Sequence, residues 1–452
     1  MIRSSVKTHS LDIPVIDVDL KWESSGQDDS IGIVDWGCRQ KVRVPVPSGL
    51  GDWWGKNMLR RTLQIIALCV GAFGLALPAQ AQFRFTAEAL FMDRDNDGGR
   101  QLLNGPDSIS SGGDNGFQTG HRFTLGASYD AFDLEFIAAQ IYGWDYSSTG
   151  TLTSPLIFDD TATNPLFAVP APNTLAFTNT LYNAATAITV EDDESERLKA
   201  GATWYVNGSS NFQDYQINVG TNPTRNPWRV SLGWRQMRLN EANGIGISGT
   251  FDALDTATGA APGGFGDGPN NALSDGALTD AGFSLLSGTG NGYDASAQPP
   301  EGPDTLLIYY QSGTQNLLNG AQVSGSYDLF PESPIDLTLL GRFGVFNNEA
   351  SATLGEYLVG SQHDDSVYQR TYAKTKNTVA FGGTLGATAM FPLTDYISAT
   401  MGYEATFVSN LALAPSQVSG LSNTPVGARN YSVNTSGQLI LHGATLGLLV
   451  TW

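Results

Sequence analysis

Three aspartates at alternate positions are the first residues whose spacing suggests chemistry. Asp93, Asp95 and Asp97 are followed by a glycine, an order that matches the start of a calcium-binding loop of the EF-hand type. The last ligand position of such a loop holds Asn104 instead of a bidentate glutamate, and the flanking sequence alternates like strands. The pattern therefore favours a polar turn. Weak calcium binding is the alternative, and no other cofactor is expected.

Histidines and acidic clusters are the second source of candidate chemistry. His121, His363 and His442 follow residue 81, and none has a metal-ligand spacing or a place in a Ser-His-Asp grouping. The run His363-Asp364-Asp365 is a cluster that an enzyme on an outer rim would use, yet an acidic segment with one histidine is usually only solvated. The sequence therefore predicts no catalytic residues and no enzyme.

A set of charged residues has a different kind of regularity. Each lies on the polar side of a segment whose alternate residues are apolar, as expected of β-strands with one apolar face. An arginine facing hydrocarbon at mid-bilayer costs about 2–4 kcal/mol, so these side chains are expected to face an interior. They line a narrow polar pore and set its ion preference, or they pair with one another and fill the interior. The set is Arg84, Glu88, Arg122, Glu135, Asp214, Arg229, Arg235, Asp336, Arg342 and Glu404.

The end of the chain shows which element positions these charges. Residues 437–452 read GQLILHGATLGLLVTW, with Leu446, Leu448, Val450 and the terminal Trp452 on one face. Period-two alternation predicts a strand with one apolar side. A terminal aromatic residue after such a strand is typical of the C-terminal strand of a bacterial outer-membrane β-barrel, where these residues are the signal read by the barrel-assembly machinery.

Nine further alternating segments precede this strand. They predict a transmembrane antiparallel up-and-down barrel of about ten strands, with short turns at 130–132, 221–227, 331–334 and 392–395 alternating with long loops. The segments 197–206 and 304–312 are either two additional strands, making twelve, or extensions above the membrane. A soluble β-sandwich also alternates, but it does not explain the parity of short and long connections. The long loops are predicted at 93–120, 145–210, 241–315, 348–376 and 409–436.

Charge and composition exclude one class of partner. The chain has 452 residues, 24 of them basic and 44 acidic, for a net charge of −20. Nucleic-acid binding needs clustered Lys and Arg to neutralise phosphates, so no nucleic-acid partner is expected. A barrel in lipid has this ordinary, polar-looking composition because only alternate strand residues contact hydrocarbon.

The start of the chain divides into a leader and an export signal. Residues 58–81 have two arginines, an apolar run too short to span a bilayer and an Ala-Gln-Ala cleavage site, the order of a secretory signal peptide. Residues 1–57 lack sustained periodicity, and we interpret them as a mis-assigned leader with translation starting at Met58. An extended signal region is the alternative. The barrel is predicted to occupy 82–452, without Cys38 and Cys69 and therefore without disulfides.

Several segments resemble a known family. AEALFMDRDND, WRVSLGWRQMRLNEANGI, NLLNGAQVSGSYDLF, GYEATFVSNLALAPSQ and LILHGATLGLLVTW are similar to the porin-like outer-membrane β-barrels abundant in planctomycete bacteria. The resemblance covers most of residues 82–452 but little of the long loops. It implies an outer-membrane location and a barrel, and it says little about function.

These observations predict a narrow passive pore in the bacterial outer membrane. Its expected partners are outer-membrane lipid, the barrel-assembly machinery and small solutes or ions, and the oligomeric state stays open. The alternative is a structural or surface-interaction barrel with a filled lumen, and an enzyme at the rim ranks third.

Overall fold

The computed structural model describes residues 82–96, 103–104, 106–107, 109, 116–157, 173–175, 195–221, 227–254, 283–287, 305–330, 335–360, 367–420 and 431–452. The chain divides into units 1–80 and 81–452, and every described residue belongs to the second. The predictions of a leader at 1–57 and a signal peptide at 58–81 lie outside the described residues.

Ten long strands form the barrel, and each contains one of the ten predicted alternating segments. They are β1 (Gln82–Asn96), β2 (Gln118–Tyr129), β3 (Phe132–Thr151), β4 (Thr203–Thr221), β5 (Trp228–Leu254), β6 (Thr305–Asp328), β7 (Asp336–Gly360), β8 (Val367–Pro392), β9 (Ile397–Leu411) and β10 (Gly437–Thr451).

Antiparallel pairing of each strand with the next closes the sheet into a cylinder. β1 pairs with β2 and also with β10, with Arg84 opposite Thr451 and Asn96 opposite Leu439. At this seam the amide of Phe83 donates to the carbonyl oxygen of Trp452 at 2.9 Å, and the two rings stack with centroids 5.9 Å apart. The all-β, ten-stranded, antiparallel up-and-down barrel predicted from the sequence is confirmed.

The twelve-strand alternative is wrong. Residues 305–312 are the first part of β6, and they pair with β5 on one side and β7 on the other. Residues 203–206 are likewise the first part of β4. The short strand Ser195–Leu198 pairs with the far end of β5 and with Leu156–Ile157, outside the ten-strand cycle. Neither 197–206 nor 304–312 therefore adds a strand to the barrel. Residues 203–206 and 305–312 extend β4 and β6.

The strands on either side of the four predicted short turns end and begin within two residues of the predicted bounds, but the long loops are shorter than predicted. β5 continues to Leu254 and β6 begins at Thr305, so 241–254 and 305–315 are strand. β7 and β8 likewise take in most of 348–376. The predicted loop 145–210 loses residues at both ends to β3 and β4.

An apolar belt surrounds the lower part of the barrel, beside the short turns. On β5 the exposed residues are Trp228, Val230, Leu232 and Trp234, whereas Ser231 and Arg235, which have the opposite parity, are buried. On β7 the belt runs from Ile335 to Val345, about the strand length needed to cross a hydrocarbon layer. The terminal residues Leu446, Leu448 and Trp452 belong to the same outward face.

The alternation reverses its phase at the top of the belt. Above Trp234, the buried side of β5 changes from the charged Arg235 to the apolar Met237 and Leu239. The alternate positions, on the outward face, are now polar. The strand keeps its register with β6 through this point. Water replaces lipid outside the wall here, so the apolar side chains turn inward. A prediction that expects one constant apolar face ends each strand at this reversal. The loops were therefore predicted to be longer than they are.

Short elements lie outside the ten-strand cycle. The 3₁₀ helix Ala414–Gly420 follows β9, and Leu103–Asn104, Leu156–Ile157, Asn173–Leu175 and Ser284–Ser287 are short strands. No helix among the described residues is long and apolar enough to span a bilayer.

Candidate functional site

The barrel interior is the place where the predicted site residues meet, and at its lower end the carboxylate of Asp133 lies between two arginines. Arg84 donates to both carboxylate oxygens, at 2.7 and 2.6 Å, and Arg229 bonds to the same group from the other side. Arg229 lies on β5 and Asp133 on β3, two strands that are not neighbours. The contact between them therefore runs through the interior.

Glu135 extends this cluster one step further into the barrel. It accepts from Arg229 at 3.1 Å and from Arg84 at 3.4 Å. The side-chain amide of Asn218 also donates to it, at 3.3 Å. Two carboxylates and two guanidinium groups thus satisfy one another at the end beside the short turns.

A second cluster crosses the barrel on the β1 side. The guanidinium of Arg122 on β2 donates to Glu88 on β1 and to Glu404 on β9, at 2.6 Å in each case. Two strands separate β2 from β9, so this contact also bridges the interior.

A third pair lies at the upper limit of the charged region. Arg235 donates to both oxygens of Asp214 at 2.8 Å, and its remaining nitrogen donates to Thr384 on β8 at 3.3 Å. Arg342 lies among these charges, with Glu135, Glu404, Arg122 and Arg235 as its electrostatic neighbours.

Nine of the ten predicted interior residues therefore come together, and Asp336 lies apart at the start of β7, near Asp328. Five arginines and five carboxylates balance in these clusters. The arginines are Arg84, Arg122, Arg229, Arg235 and Arg342, and the carboxylates are Glu88, Asp133, Glu135, Asp214 and Glu404.

An apolar layer covers the charged clusters from above. Fifteen buried residues from nine of the ten strands and the segment after β9 form one contiguous cluster. Trp144 and Phe346, each 1 % exposed, are among its largest members. The others are Leu90, Met92, Ile141, Phe212, Met237, Leu239, Leu318, Ala380, Val408, Leu411, Leu413, Leu439 and Leu441.

The segment after β9 folds into the barrel above this layer. Asn316 on β6 donates to the carbonyl oxygen of Ala412 and accepts from its amide, both at 2.8 Å. The amide of Ala414 donates to Glu241 on β5 at 2.9 Å. Glu241 also pairs with the buried guanidinium of Arg94 on β1. Hydrogen bonds from the neighbouring strands β5 and β6 thus hold this segment inside.

Residues that return toward β10 complete the inserted segment. Gln417, which is fully buried, donates to the carbonyl oxygens of Leu413 and Asn434 at 3.0 and 2.9 Å. The hydroxyl of Tyr431 donates to Gln417 at 3.1 Å. Burial raises the pKa of Tyr431 to about 12, so the hydroxyl keeps the proton it donates. Around them lies a second apolar core that includes Ile245, Leu306, Leu354 and Tyr368.

Sequence reasoning missed several residues that the interior depends on. Asp133 lies on the same side of β3 as Glu135, so the alternation that placed Glu135 inside could also have placed Asp133 there. Glu241 and Arg94 fell in a predicted loop and a predicted turn, and the pair Glu356–Arg370 fell in another predicted loop. Their signal is the reversed phase of the alternation.

The calcium candidates lie on a strand. β1 runs through Asn96, so Asp93 and Asp95 occupy alternate positions facing outward, like Phe91, and no turn begins there. Asp93 lies opposite His442. Asp97, His363, Asp364 and Asp365 lie outside the described residues. Among the residues that are described, no group of three or more His, Cys, Asp or Glu side chains is placed to hold a metal ion. Calcium binding stays a prediction.

Comparison with solved structures finds β-barrels that are similar to this chain at low sequence identity. No family model matches the chain, and no curated protein does. The outer membrane protease OmpT from Escherichia coli has a TM-score of 0.33 at 12% identity, covering 83% of this chain and 97% of its own. The translocator domain of the autotransporter NalP from Neisseria meningitidis scores 0.26 at 7%, covering 88% and 98%.

The toluene transporter TbuX from Ralstonia pickettii scores 0.23 at 9% identity, covering 83% of this chain and 89% of its own. At these TM-scores the likenesses carry no conclusion about activity, and the fold rests on the strand pairing itself. The resemblance to planctomycete barrels stays a prediction.

Proposed function

We propose that the chain is an outer-membrane β-barrel with a filled lumen that presents its upper half as an interaction surface. The outward apolar belt supports the location, because only contact with lipid makes a continuous band of exposed Trp, Leu, Val and Phe favourable. The inserted segment and the apolar layer support the filled lumen.

The apolar layer is the observation that carries this proposal. Trp144, Met237 and Phe346 belong to one buried cluster that extends across the barrel. An ion or polar solute that crosses such a layer loses its hydration without gaining polar partners, which costs several kcal/mol. The narrow passive pore predicted from the sequence would need a continuous polar path, and the described interior opposes one at this level.

Planar-bilayer recording of the purified, folded chain tests the proposal. We expect no discrete conductance steps from the unchanged protein. The double substitution Trp144→Ala and Phe346→Ala removes the two largest ring systems of the layer and is the positive control for a passage at this level. Regular steps from the unchanged protein would contradict the filled lumen and restore the passive pore.

A further inference from the structure

The outer wall above the belt carries an unusual set of side chains. Strands β4 to β7 continue well beyond the apolar belt, and their outward positions there are rich in amides, with Leu317 as an apolar exception on β6. On β5 and β6 these outward residues include Gln236, Asn240, Asn319 and Gln315, with the parity of the exposed residues Trp234 and Val323 below them. We call this surface the amide wall.

Amides on neighbouring strands bond to one another along the wall. Gln236 donates to Asn319 at 2.9 Å, and Asn240 donates to Asn211 on β4 at 3.0 Å. A side-chain amide has two donor hydrogens and an oxygen with two lone pairs, so one bond between two amides leaves donor and acceptor capacity on both. Adjacent donors and acceptors in fixed positions suit the paired hydroxyl groups of a sugar ring.

A row of tyrosine rings forms the upper limit of the amide wall. Tyr309 on β6 stacks near Tyr205 on β4 and Tyr357 on β7, with ring centroids 6.0 and 5.8 Å away. Gly246 lies opposite both Tyr205 and Tyr309, and a Cβ there would overlap the Tyr205 ring. The ring therefore lies flat over the glycine. Flat aromatic faces with hydroxyl edges are suited to the apolar face of a pyranose.

The amide wall differs in charge from the rest of this acidic chain. Between the belt and the tyrosine row, the outward residues of β4 to β7 include two charged side chains, Arg238 and Glu349, which have opposite signs. The whole chain has a net charge of −20. A surface without net charge selects a neutral, hydroxyl-rich ligand over a phosphate or a nucleic acid.

The position of the wall points to one source for such a ligand. It continues the lipid-facing side of the same strands, so the molecules beside it are those that project from the outer leaflet. Ten residues separate Asn319 from Tyr309, which corresponds to about 25 Å of height for a tilted strand. That height fits an oligosaccharide of several sugars and exceeds a single sugar.

We propose that the amide wall binds the oligosaccharide headgroup of an outer-leaflet glycolipid, through amide hydrogen bonds low on the wall and stacking on the tyrosine row at its top. The inference rests on the proposed outer-membrane location and surface role, and it names the partner of that surface.

Calorimetric titration of the folded chain in detergent tests this proposal. The probe is the de-acylated core oligosaccharide of lipopolysaccharide, which has no acyl chains to partition into the micelle. We expect saturable binding, a Kd at least tenfold weaker in the double variant N240A/N319A and about fivefold weaker in Y309A. Q438A, an exposed amide on the opposite side of the barrel, is the matched control and keeps the original affinity.

Three outcomes would overturn the proposal. The unchanged chain fails to bind the oligosaccharide, the Q438A control loses affinity as much as N240A/N319A, or a dephosphorylated oligosaccharide no longer binds. Sedimentation tests whether a second copy of this chain covers the wall instead. A dimer of the unchanged chain that becomes a monomer in N240A/N319A would assign the wall to dimerisation and would also overturn the proposal. Heat-modified electrophoretic mobility checks that each variant folds. Conductance steps would contradict the filled lumen without affecting oligosaccharide binding. Failure of the proposed function and failure of the proposed binding are therefore distinguishable.

Discussion

The lower and upper halves of the barrel interior are filled with opposite chemistry. Below, paired charges such as Arg84–Asp133 and Arg122–Glu404 fill the space inside a wall whose outer side is apolar. Above, apolar side chains and an inserted segment fill the space inside a wall whose outer side is polar. The same strands thus have an apolar outer face below and an apolar inner face above. The boundary between the two halves marks where the surroundings of the wall change from lipid to water.

The comparison predicts that a charge without a partner is excluded from the apolar layer, because buried charges above the layer, such as Arg94 and Glu241, are paired. Phe346 tests this most severely. Phe346→Asp places a carboxylate in the apolar layer without a cationic partner, and we expect a loss of at least about 4 kcal/mol in the free energy of unfolding. Urea unfolding in detergent micelles measures it. The neighbour Asn347 is exposed on the outer face, so Asn347→Asp is the control and should change little. Equal losses in the two variants would contradict the assignment of faces above the belt.

The lower half depends on balance between its charges. Asp133→Ala removes one of the two carboxylates that Arg84 and Arg229 share and leaves Glu135 as the other, and we expect a loss of about 3 kcal/mol. The same unfolding assay measures it. Asp336→Ala removes a carboxylate that lies apart from the clusters and should cost under about 0.5 kcal/mol. A neutral effect of Asp133→Ala would mean that water, and not the paired charges, fills this end.

Glu241 helps to hold the inserted segment in the upper half. Glu241→Gln keeps the shape but removes the charge shared by Arg94 and the amide of Ala414, at a cost of about 2 kcal/mol. Hydrogen exchange should then be about 30-fold faster at Ala414 and its neighbours. Glu349→Gln, on the exposed outer wall, is the control. Unchanged exchange at Ala414 would show that the apolar contacts alone hold the segment.

The seam between β1 and β10 gives the smallest expected effect. Trp452→Ala removes a ring that stacks on Phe83 at the lower edge of the belt, and we expect a loss of about 1 kcal/mol. Trp452→Phe keeps an aromatic face and should recover most of the stability. If both substitutions slow assembly equally in cells, the indole itself is what the assembly machinery reads. If Trp452→Ala leaves stability unchanged, the stack does not contribute to closure.

The lower half was predictable because its pattern is simple. Alternation from Ile335 to Val345 and from Leu446 to Trp452 follows directly from lipid on one side and a polar interior on the other. The same rule placed nine charged residues inside. Asp336 has the same parity on β7 as Arg342, but it lies at the very start of the strand and apart from the clusters.

The upper half was harder to predict because two apolar phases meet on one strand. Met237 and Leu239 break the pattern of Trp228 to Trp234, and a rule that expects one apolar face takes this for the end of the strand. The glycines at 244, 246 and 249 weaken the strand signal further, because glycine is depleted in strands. The rings of Tyr205 and Tyr309 cover two of these positions in the folded wall, a compensation that sequence order does not display.

The sequence by itself determined the barrel and the side of each lower strand that faces inward, because period-two alternation is a local property. Only the tertiary structure decided between ten and twelve strands and showed which side chains meet inside the barrel. Arg122 finds Glu404 across two intervening strands, and Glu241 finds Ala414 in a segment that follows the ninth strand. Such partners are set by closure of the cylinder, which brings together residues that no local pattern relates.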